Sequence, residues 1–177
     1  MKKSVVIFLL FVMVKLQAQT YQDNWSSIDK RPAPTWFTDG KFGIFIHWGV
    51  YSVPAYCKKG NYAEWYQNGL VNGDSAITKY HKEKFGDKTY YQLADDFKAE
   101  LFNPDEWAKL FEESGAKYIV LTSKHHDGFC LWPSEEANRD WGFKWNAVDI
   151  GPHRDLIGDL FAAVRKTSVL IKCYPMQ

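Results

Sequence analysis

Two short apolar runs, each leading into histidine, constrain this chain most. The first is Phe42-Gly43-Ile44-Phe45-Ile46, followed by His47-Trp48-Gly49. The second is Tyr118-Ile119-Val120-Leu121-Thr122, followed after Ser123 by Lys124-His125-His126-Asp127-Gly128-Phe129. A short unbroken apolar run bounded by turn residues reads as a buried strand. Strands buried on both faces belong to parallel sheets, and parallel neighbours need a long crossover, usually helical. In α/β barrels and open α/β sheets, ligands bind where such strands end. Both runs deliver an imidazole there, so the pattern predicts one pocket built from two strand ends.

The crossovers carry their own signals. Asn103 is a good N-cap, Pro104 fits the first helical position and Glu106 completes a capping box. Trp107, Leu110, Phe111 and Ser114 recur at helical spacing and mark a buried face, and Gly115 fits the stop. A second helix is predicted over 155–166, with Leu156, Ile157, Leu160, Phe161 and Val164 as its apolar stripe. Val169 to Tyr174 reads as a third strand, and Ala76 to Lys84 as a short helix ending at Gly86. Residues 50–75 and 129–153 read as long loops, which in compact domains are commonly functional. The resulting βαβαβ order implies a parallel sheet with right-handed crossovers. It does not separate a (β/α)8 barrel from an open sheet. No glycine-rich phosphate fingerprint follows either strand, which argues against a dinucleotide fold.

The net charge is +1 over 177 residues, with no long Lys/Arg block, so nucleic acid and anionic membranes are poor candidates as main partners. The 8 Trp, 10 Tyr and 12 Phe fit either an aromatic core or a site that stacks on sugar rings. Lys2 and Lys3, the apolar stretch Val5 to Val14, and Leu16-Gln17-Ala18 read as a secretory signal peptide over residues 1–18. The expected location is therefore secreted or periplasmic, with no membrane segment left after cleavage. Cys57, Cys130 and Cys173 show no metal or redox spacing and read as small, buried, inert residues.

Among the histidines, His81 lies in a charged helical segment and is expected to face solvent, and His153 reads as a surface residue. His125 and His126 point different ways, so one can face a pocket while the other supports it. Asp127 can orient an imidazole or hold the turn. Histidine and aspartate suit divalent metals. Barrel metallohydrolases, however, offer two histidines one residue apart on the first strand, where this chain has His47-Trp48-Gly49. The reading therefore favours no metal. A neutral imidazole donates at one nitrogen and accepts at the other, which suits sugar hydroxyls. Glu64-Trp65-Tyr66 is either a sugar-binding acid–aromatic pair or a solvent-exposed acid beside a packed indole.

Taken together, Lys41 to Gly49, Glu64-Trp65-Tyr66, Gly115-Ala116-Lys117-Tyr118 running into the His125-His126-Asp127-Gly128-Phe129 string, and Trp145 to Leu156 resemble the family 29 glycoside hydrolases, the α-L-fucosidases. The resemblance covers residues 22–166. It implies a (β/α)8 TIM-like barrel, of which residues 19–177 would be the incomplete N-terminal portion, since a full barrel takes about 250 residues. It implies retaining hydrolysis of terminal α-L-fucose from a fucosylated glycan, with two carboxyls about 5–5.5 Å apart and no metal or organic cofactor. His47, Glu64, Trp65, His125 and His126 are the residues it assigns to the sugar. The family's nucleophile, an aspartate at the end of the fourth strand, and its acid/base are expected beyond residue 177. The competing readings are a non-catalytic fucose-binding remnant and a metal-dependent barrel hydrolase.

Overall fold

The structure is a computed structural model that describes residues 21–176; the segment read as a signal peptide lies outside the described residues. The described residues divide into two compact units, with the division after Thr38. In the first, helix α1 (Trp25–Ile28) starts at Asn24, whose side chain accepts the Ser27 N–H. Helix α2 (Thr35–Gly40) follows and carries the chain into the second unit.

The second unit is built on three parallel strands, β1 (Gly43–Ile46), β2 (Tyr118–Lys124) and β3 (Leu170–Pro175), in the spatial order β1-β2-β3. The register pairs Gly43 with Tyr118 and Ile46 with Leu121, and Leu121 in turn with Cys173. Gly43 is required for this register. A Cβ there would sit 2.2 Å from the Tyr118 ring. Among the described residues the sheet has these three parallel strands and does not close on itself.

The first crossover carries helices α3 (Tyr66–Val71), α4 (Ser75–Phe85) and α5 (Pro104–Glu113); the second carries α6 (Glu135–Trp141) and α7 (Leu156–Val164). Their ends follow the cap chemistry. Asn103 Oδ1 accepts the N–H groups of Asp105 and Glu106, Asp74 accepts those of Ala76 and Ile77, and Asp155 accepts that of Gly158. The segment 129–153, expected to be a loop, contains α6. Ser134 caps it, acids fill its first turn, and Gly142 closes it in the left-handed region. The segment 50–75 likewise holds two 3-10 turns and α3.

Helices α5 and α7 pack together over one face of the sheet. Ile44, Ile46, Ile119, Leu121 and Ile171 join Ala108, Phe111, Leu156, Leu160 and Val164 in one core. The other face carries Phe45 and Tyr174, about half exposed, with ring centroids 5.9 Å apart. Three expectations need correction. Leu110 is 63% exposed, because α5 turns Ala108 and Phe111 inward instead. Cys173 is exposed and Cys57 only half-buried, so of the three cysteines Cys130 alone is buried. His81 is buried, not solvent-facing: its Nε2 lies 2.7 Å from the Lys88 carbonyl and its Nδ1 3.0 Å from the Tyr66 hydroxyl. A carbonyl only accepts, so Nε2 carries the proton and Nδ1 accepts from tyrosine. Both ring nitrogens are satisfied, and the imidazole is part of the packing.

Candidate active site

The β1–β2 register sets the site. Strand β1 ends at Ile46 and releases His47; β2 runs to Lys124 and releases His125. The two imidazole centroids lie 5.9 Å apart. His125 is the hub of the cluster. Around it stand Tyr51 at 5.2 Å, Trp65 at 5.8 Å and His126 at 5.1 Å, all edge-on. The indole of Trp65 also lies 4.9 Å from His126. Trp65 reaches the cleft because a 3-10 turn, Ala63–Trp65, leads directly into α3.

Adjacent histidines diverge as expected of neighbouring residues at a strand end: His125 is buried and His126 exposed. Burial pushes the His125 imidazole down from 6.5 to about 4, with His126 and His47 adding to the shift and Glu64 opposing it. It is neutral at physiological pH, and its buried Nε2 has no hydrogen-bond partner in the protein. Tyr51 was not singled out from the sequence. Its hydroxyl is also buried without a well-formed hydrogen bond. Burial, then the charges of Asp127 and Glu64, raise its pKa well above the usual phenol range, so it stays protonated.

The loop after β2 is held from below. Asp127 is 4% exposed, and its carboxylate is taken up by the protein itself. One carboxylate oxygen accepts the Tyr90 hydroxyl at 2.6 Å and the other the Phe129 N–H at 3.1 Å. Burial raises its pKa despite these donors. The backbone carbonyl of Asp127 accepts the Trp145 indole N–H at 2.7 Å, and that indole is fully buried among Phe129, Tyr90 and Tyr91. Asn146 next to it is also fully buried. Its amide nitrogen donates to Ser134, Asn138 and Asp149, and its oxygen accepts the N–H groups of Val148 and Asp149. The second long segment is thus a rigid brace under the histidine loop. Gly128 sits in that loop at φ +76, with the Trp141 ring against it.

All five residues assigned from the sequence therefore have a defined place. His47, Trp65, His125 and His126 form one cluster of ring contacts, and Glu64 lies close enough for its charge to act on His125 and Tyr51. Among the described residues no group of three or more His, Cys, Asp or Glu converges as a metal site would require. The arrangement can donate to and accept from neutral hydroxyls and can cover an apolar face with an indole.

Solved structures give the class. An α-fucosidase of Thermotoga maritima in complex with fucose matches with a TM-score of 0.77 and 43% identity, over 88% of this chain and 37% of that one. A family 29 α-L-fucosidase of Bacteroides thetaiotaomicron matches at 0.61 and 30%, over 82% and 30%. The described fold thus matches part of these fucosidases, which are glycoside hydrolases. The family model described as alpha-L-fucosidase matches residues 8–177. This chain belongs to the α-L-fucosidase family. It is 43% identical to the alpha-L-fucosidase of Dictyostelium discoideum over 178 residues, and 42% identical to the human tissue alpha-L-fucosidase over 154. These alignments cover 98% and 87% of this chain but 37% and 31% of the relatives, so the chain spans about a third of their length.

Proposed function

We propose that this chain supplies the fucose-recognising part of a retaining α-L-fucosidase that is exported and acts on fucosylated glycans. The observation that carries the reading is the convergence of His47, His125, His126 and Trp65 at the carboxyl ends of β1 and β2. Neutral His125, together with His47 and His126, serves sugar hydroxyls; Trp65 covers the apolar face of the ring; Glu64 accepts a hydroxyl proton. The half-exposed pair Phe45 and Tyr174 supports a barrel, since their side of a parallel sheet is the interior in a closed (β/α)8 fold. The Lys2-Lys3 charge and the apolar stretch to Val14 support export.

Retaining hydrolysis needs a nucleophile and an acid/base about 5–5.5 Å apart. Of the carboxylates named at this cleft, Asp127 is closed off by Tyr90 and the Phe129 amide, which leaves Glu64. At least one of the two catalytic carboxyls is therefore assigned to another residue of the complete catalytic domain. The test is a graft. Residues 39–176 replace the matching part of the Thermotoga maritima α-fucosidase, and hydrolysis of an aryl α-L-fucoside is followed. Activity is expected, with His47→Ala raising KM and lowering kcat. A folded graft that neither binds fucose nor turns over would sink the reading.

A further inference from the structure

Resting on the reading of this cleft as a fucose site, we propose that Tyr51 is a positioning residue for the sugar. Its hydroxyl donates to Nε2 of His125, which keeps the imidazole proton on Nδ1 and makes that N–H the donor to a sugar oxygen. The chain is bent to seat this phenol. Strand β1 ends at Ile46, and the 3-10 turn Val50–Ser52 folds Tyr51 back beside His125. Gly49 leaves the room, since a Cβ there would lie 3.1 Å from the Tyr51 ring. The phenol is 4% exposed, and its centroid lies 5.2 Å from that of His125, edge-on.

The polar atoms of these two rings need each other. Among the described residues, three buried side-chain polar atoms have no hydrogen-bond partner: the Tyr51 hydroxyl, His125 Nε2 and the Thr122 hydroxyl. Two of the three belong to rings in contact. Buried polar groups in native proteins are nearly always paired, so a hydroxyl and a ring nitrogen sealed side by side are natural partners. One hydrogen bond, direct or relayed by a single water, satisfies both. Bonds at ligand sites are commonly long in the free protein and tighten when the ligand seats.

The surroundings set the direction of that bond. A phenol has one proton to give, and a neutral imidazole has one nitrogen that accepts. The Trp48 backbone N–H approaches the Tyr51 oxygen from its acceptor side. Burial and the charges of Asp127 and Glu64 hold the phenol protonated, so its O–H is free to donate. Asp127 is already engaged by Tyr90 and the Phe129 N–H. Glu64 is only half-buried and can turn to solvent, whereas Nε2 cannot. Nε2 therefore accepts and the ring proton sits on Nδ1. A donor to the neutral ring also opposes its protonation, in the same sense as burial. His125 then meets the sugar as a donor of fixed orientation, polarised from behind by the phenol.

Nitrogen-15 NMR of the histidine-labelled full chain at pH 7 reads the tautomer, and titration calorimetry with L-fucose reads binding. The His125 signals are those that His125→Gln removes. In the natural chain the unprotonated nitrogen of His125 should be Nε2. Tyr51→Phe should move a large share of the ring proton from Nδ1 to Nε2 and weaken L-fucose about fivefold, the scale of one neutral hydrogen bond. A phenol that merely packs would leave the tautomer where it is. A natural chain with Nε2 protonated, which needs no variant to see, overturns the proposal. So does a variant whose tautomer or affinity is unchanged. If L-fucose does not bind the natural chain, the fucosidase reading falls, and the tautomer with and without the Tyr51 hydroxyl alone decides the hydrogen bond.

Discussion

Acidifying the protein from pH 7 toward pH 4.5 should remove stability through one buried imidazole. An unfolded histidine takes up a proton near pH 6.5, whereas His125 in the fold resists protonation down to about 4. Between those values the unfolded chain binds a proton that the native state does not, so stability falls as pH falls. Each pKa unit is about 1.4 kcal/mol, and the 6.5-to-4 interval sets a limit of about 3 kcal/mol. His125 is 4% exposed, so solvent does little to reduce that figure. Against a total of about 5–15 kcal/mol for a typical domain, the loss is large. Asp127 works in the opposite direction, since its raised pKa lets the native state take up a proton first. Asp74, Asp87, Glu112 and Asp149 have lowered pKa values, and their contributions begin to fall only near the acid end of this window, in the natural chain and the variant alike. Urea unfolding at both pH values, for the natural chain and for His125→Gln, isolates the histidine. The natural chain should lose about 2–3 kcal/mol more than the variant over this interval. Equal losses in the two proteins would refute the assignment of a neutral, desolvated His125.

Three further outcomes follow from the same geometry. Gly128→Ala forces a left-handed backbone onto a side chain that meets Trp141, and should cost about 1–2 kcal/mol in urea unfolding; an unchanged midpoint would show that the loop is not held as described. Tyr51→Phe removes a hydroxyl that lacks a well-formed partner and should change stability by less than about 0.5 kcal/mol, whereas Asn146→Ala strands several buried groups and should cost about 3 kcal/mol; comparable effects of the two would contradict the hydrogen-bond pattern. The 177-residue polypeptide by itself should give no turnover of an aryl α-L-fucoside; activity abolished by Glu64→Gln would instead make Glu64 a catalytic residue.

What could be read from the residues was what depends on neighbours in sequence. The strands showed as apolar runs and the major helices as caps, because Asn103-Pro104 and the Leu156 stripe act locally. Helix α6 was hidden since seven residues give too few turns for periodicity, although Ser134-Glu135-Glu136 is an N-terminal signal in hindsight. His81 was misjudged because its neighbours are charged, while its partners are the Lys88 carbonyl and Tyr66, which only folding brings to it. Tyr51 was missed for the same reason. It follows Gly49 in a segment without pattern, and its place against His125 comes from the crossover's path. The meeting of His47 with His125 was legible because neighbouring parallel strands release their next residues at the same edge of the sheet.

The pairing of Ile46 with Leu121 has an evolutionary consequence. It fixes the His47–His125 spacing through backbone hydrogen bonds, which no side-chain replacement in the intervening crossover alters. Duplicated copies of this gene can therefore vary there while the His47–His125 spacing passes unchanged to each descendant.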